Sequence, residues 1–173
     1  MQRERTTLTT ALVSSAGTLI SSNLWFGLRW NLSLHETLLY IASMICVGFV
    51  EEVIFRGLLF NAMHKDGLKS AVIVSSLTFG IGHIVNLFNG SGAQLLSNLC
   101  QVGYAAAVGF LFVILFLKTD SLIPCIVTHR AVNSLSVFAN EVSMTVTQEI
   151  FSAIAIAVIA LAYAVYLLKK VPE

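Results

Sequence analysis

Six stretches of the chain are apolar and long enough to cross a membrane, and no other feature limits the fold as much. They run over about Leu8–Leu28, Thr37–Met63, Ser70–Phe88, Ala93–Leu117, Leu122–Ala139 and Ile150–Leu168. A helix of about 20 residues, within a range of about 17–25, traverses the hydrocarbon core. In lipid a helix satisfies its own backbone hydrogen bonds. The expected fold is therefore all-α: a polytopic membrane helix bundle of about six transmembrane helices, forming a single membrane domain over residues 1–173. Composition points the same way. Hydrophobic residues make up 57% and charged residues 11%, against about 25% charged in a soluble domain. A small domain in water leaves too much surface exposed to hide that apolar content, and disordered chains are poor in apolar residues. The net charge of +1 offers no basic field, so nucleic acid is not an expected partner.

The first stretch is the weakest, being diluted by Thr9, Thr10, Ser14, Ser15, Thr18, Ser21, Ser22 and Asn23. A surface helix or an uncleaved signal-like segment is the alternative there. On six spans, one side receives Arg3, Arg5, Lys65, Lys69, Lys118, Lys169 and Lys170, and the other only Arg29. Lys and Arg accumulate in cytoplasmic loops, so both termini are expected to be cytoplasmic, with the cell membrane as the location. Glu141 and Glu149 fall on the poorer side. Turns are expected at Asp66-Gly67, Asn89-Gly90-Ser91-Gly92 and Thr119-Asp120-Ser121. Cys46, Cys100 and Cys125 lie in apolar runs without zinc or redox spacing, and read as small core hydrophobes.

With the loop charges set aside, Glu51, Glu52, Arg56, His83, His129 and Arg130 remain within spans. An ionised side chain at mid-membrane costs about 3 kcal/mol or more, so such groups face the interior, pair and carry function. A buried structural ion pair is the plain alternative. Glu52 and Arg56, four apart, share one helix face with the acid N-terminal to the base. Glu51 is rotated by about 100° and pairs less well with Arg56 within the helix. Arg56 is thus expected to neutralise Glu52 and leave Glu51 freer to act as a base, although another Arg56 rotamer could reach Glu51. Phe79 and His83 share a face of the third span, where Gly80 and Gly82 permit a neighbouring helix to approach. His129 and Asn133 share a face of the fifth, and Pro124 near its entry could distort the first turn. Arg130 points away, toward snorkelling or an interhelical pair. The stripe Gln94-Asn98-Gln101 on the fourth span reads either as cavity lining or as interhelical hydrogen bonding.

A carboxylate and an imidazole can deprotonate water, and His or Asn can donate to a developing oxyanion. The set suits peptide-bond hydrolysis. No cofactor is required, but the same Glu and His groups could hold a divalent metal such as zinc. Other hydrolase signatures are missing: His35-Glu36 lacks the second His of a zincin, and Asp66 and Asp120 sit at loop boundaries rather than as a membrane dyad.

Glu51-Glu52-x-x-x-Arg56, Phe79-x-x-x-His83 and His129-x-x-x-Asn133, in that order, resemble the three motifs of the CPBP (Abi, type II CAAX protease-like) intramembrane proteases. Arg56-Gly57-Leu58-Leu59-Phe60, Ser75-Ser76-Leu77 and Lys118 to Pro124 extend the likeness, which covers about residues 43–135. It implies that Glu51 is the general base, assisted by His83. His129 and Asn133 would stabilise the oxyanion, and Glu52 and Arg56 would organise the first motif. The family is often labelled metalloprotease, and a metal-independent glutamate mechanism is also proposed for it. Its members cleave prenylated proteins, act on peptide pheromones or serve in bacteriocin self-immunity. The resemblance thus makes a peptide or protein the substrate. The alternative functions are a non-catalytic bacteriocin self-immunity or membrane interaction protein, and a small transporter.

Overall fold

The computed structural model describes residues 2–90, 92–140 and 144–170, leaving aside the side chains of residues 2–8 and 11. The side chains of Arg3 and Arg5, and residues Ser91 and Glu141, lie outside that description. The chain forms α1 (Gln2–Ser21), α2 (Leu34–Glu52), a π-helical stretch (Val53–Phe60), α3 (Asn61–His64), α4 (Leu68–Gly82), α5 (Leu95–Thr119), α6 (Ile123–Leu135) and α7 (Val146–Lys170). Among the described residues the one β feature is an isolated antiparallel bridge between Leu28 and Ala139. The chain is an all-α membrane bundle, as expected.

Local chemistry sets the helix ends. Ser33 caps α2 in a reciprocal box: its hydroxyl takes the Glu36 N–H, and the Glu36 carboxylate takes the Ser33 N–H at 3.0 Å. This is the structural use of the His35-Glu36 dipeptide. Asp120 ends α5 in a left-handed conformation, φ 50°, which Asp tolerates better than most residues. Pro124 sits in the first turn of α6, where its missing N–H is no loss.

From α2 through α3 the chain is one 31-residue rod, Leu34–His64. Among the described residues, that rod, Leu68–Leu87, Leu95–Thr119 and Val146–Lys170 are long and apolar enough to span a bilayer. The first and fifth apolar stretches also fold as helices but fall outside this set. Helix α1 carries Arg3, Glu4, Arg5 and a run of Ser and Thr, and α6 has 13 residues followed by a 3-10 turn, Ser136–Phe138.

The outer surface is more apolar than that of a water-soluble protein. Ile73, Leu77 and Ile81 of α4 and Ile154, Leu161 and Val165 of α7 face outward, which is unremarkable only where lipid is the solvent. Glu52, Arg56, Asn98 and His129 are buried instead. Helix α5 is the axis, packed against α4 and α7, while α2 packs chiefly on α6. Leu111, Phe112, Ile114 and Leu115 of α5 meet Ala160, Ala164 and Leu167 of α7 in the main apolar cluster. Alanines at 160 and 164 bring that pair of backbones close, the small-residue packing usual in membranes.

Of the two α4 glycines singled out by sequence, Gly80 makes the close approach. A Cβ there would lie 2.7 Å from the Val102 carbonyl oxygen and 2.8 Å from Ala106 Cβ, whereas at Gly82 it would meet only the tip of Phe55 at 3.9 Å. Gly80→Ala is therefore expected to push α4 from α5 and cost about 1–3 kcal/mol, read as a lower Tm in detergent. Gly82→Ala should leave Tm unchanged, and equal Tm values for both variants would contradict the packing.

Candidate active site

Three helical segments bring the ionisable residues to one place. Arg56, in the π-helical stretch, donates from Nη1 to Glu52 Oε1 at 3.0 Å, and both side chains are fully buried. The second guanidinium arm donates from Nη2 to the Gly109 carbonyl of α5 at 3.1 Å. Its Cζ lies 4.3 Å from the centre of the Phe79 ring, a cation–π contact in a desolvated setting. The i, i+4 pairing read from the sequence is thus present, with two further partners.

His129 of α6 stands between the two glutamates. Nδ1 is 2.8 Å from Glu52 Oε1, and Nε2 is 3.3 Å from Glu51 Oε2. The two acids differ in exposure, Glu52 being fully buried and the Glu51 side chain 29% exposed. A neutral imidazole has one donor and one acceptor nitrogen. If Nδ1–H is given to Glu52, the Nε2 lone pair faces the Glu51 carboxylate unless a proton lies between them.

Phe79 joins the second motif to the others. Its ring is edge-on to His83 and to His129, with both centroid distances 5.5 Å. His83 is half-buried and follows the last residue of α4. Asn133 is half-buried one turn beyond His129, and its carbonyl accepts from the Ser136 hydroxyl at 2.7 Å. The imidazole in contact with Glu51 is that of His129, whereas the family resemblance associates Glu51 with His83. Arg130 turns away, as its rotation along α6 requires. Nε donates to the Ile45 carbonyl of α2 at 2.9 Å and the guanidinium lies over Phe49, an interhelical clamp made without a carboxylate.

Several contributors carried little sequence signal. Gly109 leaves room for Arg56: a Cβ there would lie 3.0 Å from Phe79 and 3.3 Å from Arg56 Nη2. The π-helical stretch begins directly after Glu52, and Ser75 Oγ donates to the Phe55 carbonyl within it at 2.8 Å. Such widened turns cluster at functional sites, but nothing in Val53–Phe60 announces one. From the polar stripe of α5, Asn98 donates to the His83 carbonyl, and Gln101 accepts from Asn86.

Among the described residues no three His, Cys, Asp or Glu side chains converge in a way that could hold a metal ion. Both nitrogens of His129 are directed at carboxylates, and Phe79 packs against both imidazoles. As arranged, the residues do not form a three-ligand zinc set.

An acid–imidazole cluster buried inside a membrane helix bundle marks a functional site. Residues 33–135 match the family model described as type II CAAX prenyl endopeptidase Rce1-like. That is more than half of the 173 residues, and the chain belongs to this family of proteases. The match starts at the Ser33 cap of α2 and ends with α6. Comparison with curated proteins and with solved structures found no match.

Proposed function

We propose that the chain is an intramembrane endopeptidase that cleaves hydrophobic or membrane-proximal peptides with water activated by Glu51. The observation that carries this reading is the unequal exposure of the two glutamates around one imidazole. Glu52, sealed and bound to Arg56 and His129, is the anchor, and Glu51 is the acid with access to a substrate. Glu51 takes a proton from water as the hydroxide oxygen bonds to the scissile carbonyl carbon. The Asn133 amide donates to the resulting oxyanion, where preorganised donors contribute most, while His129, whose two nitrogens face Glu52 and Glu51, holds Glu51 in place. His83 assists in orienting the water. The C–N bond then breaks as the proton held by Glu51 passes to the leaving amine, and Glu51 returns to its starting state.

Lys65, Lys69, Lys118, Lys169 and Lys170 fall at one end of the up-and-down helix order. The positive-inside rule makes that end, and both termini, cytoplasmic, in a cell membrane. Purified full-length protein, incubated with a pool of hydrophobic peptides in 18O-enriched water, tests the reaction by mass spectrometry. The expected products carry the label in the newly formed carboxylate. A pool left intact by folded protein would overturn the reading.

A further inference from the structure

Helix α4 changes character at its catalytic-motif histidine. Gly82 is its last α-helical residue, and a 3-10 turn covers His83–Leu87. Carbonyls at such an end exchange α-helical donors for 3-10 or side-chain ones. Asn98 Nδ2 of α5 supplies one to the His83 carbonyl at 2.7 Å. Nearly one turn along, Gln101 Oε1 accepts from Asn86 Nδ2 at 3.1 Å, so two amides of α5 grip the segment that begins with His83. Asn98 is 1% exposed, and its Oδ1 has no hydrogen-bond partner among the described residues. Leucine has the same branched four-atom side-chain skeleton and would leave no buried acceptor unmet, so filling space does not account for an amide here.

We propose that Asn98 is a positioning residue for His83. It holds the backbone at the end of α4 and so fixes the direction of the imidazole, whose other constraint is the edge-on contact with Phe79. The catalytic consequence rests on the endopeptidase reading; the effect on the imidazole does not.

The test uses full-length Asn98→Leu and Asn98→Gln in detergent, with ring-15N histidine for NMR and steady-state cleavage. In Asn98→Leu the His83 ring resonances should move while those of His35 and His64 stay. The value of kcat should fall by about 10–100-fold, the scale expected of a small misplacement, with KM within about twofold. Asn98→Gln, which keeps the donor on a longer arm, should recover part of kcat. Unmoved His83 resonances, or unchanged kcat, in folded Asn98→Leu would overturn the proposal. Should Asn98→Leu fail to fold, the wild-type Asn98 side-chain amide decides. Slow exchange of its protons supports the bond and exchange at the rate of exposed amides rejects it. If wild-type protein cleaves no peptide, the endopeptidase reading fails and the His83 resonances alone decide the role of Asn98.

Discussion

Replacing Glu51 by Gln is expected to lower kcat by about 10²–10⁴-fold, the usual contribution of a positioned general base, with KM and Tm nearly unchanged. Gln has the size of Glu but cannot accept the proton of the attacking water. The fold should tolerate the change, because the Glu51 side chain is 29% exposed and its contact with His129 is the longer of the two acid–imidazole contacts. Glu52→Gln should behave differently. Glu52 Oε1 receives both Arg56 Nη1 and His129 Nδ1, so neutralising it weakens two buried contacts and lowers stability together with activity. Cleavage kinetics and detergent melts on the two variants therefore separate base from anchor. Full turnover by folded Glu51→Gln would remove Glu51 from the chemistry.

Much of the architecture follows from side-chain type alone. Runs of apolar residues can satisfy their backbones only as helices in lipid, and the spacing of Glu52 and Arg56 places them on one face whether the turn is tight or slightly wide. The six apolar stretches became helices, yet α6 stops at Leu135 and continues as a 3-10 turn, a change that apolar character does not encode. Partners across the bundle were the least legible. Which imidazole reaches Glu51 depends on where α4 ends and how far α6 inserts, and neither depends on local spacing. The same holds for Gly109, whose value is the room it leaves for Phe79 and Arg56. Asn98 stood out as polar in an apolar helix, but its bond to the His83 carbonyl appears only once α4 and α5 are packed.

Arg56→Met is expected to be the most destabilising single change at the site, at about 3–5 kcal/mol, the cost of removing one member of a buried ion pair. Met fills a comparable volume, so the loss is electrostatic rather than a cavity. Glu52 would be left in a fully buried position with only His129 to answer it, and the Gly109 carbonyl would lose its donor. Arg56→Lys should fall between the two. It restores a charge, but one ammonium cannot reproduce the planar fork that reaches Glu52 and Gly109 while stacking on Phe79. The double variant Glu52→Gln with Arg56→Met discriminates further, because replacing a whole buried pair is often nearly neutral. It should recover much of the stability lost in Arg56→Met without recovering activity, since His129 would no longer be anchored on a carboxylate. Denaturant titrations in detergent give the stability order and cleavage rates the activity order. Equal stability of Arg56→Met and wild type would mean that the Glu52–Arg56 pair does not hold the cluster together.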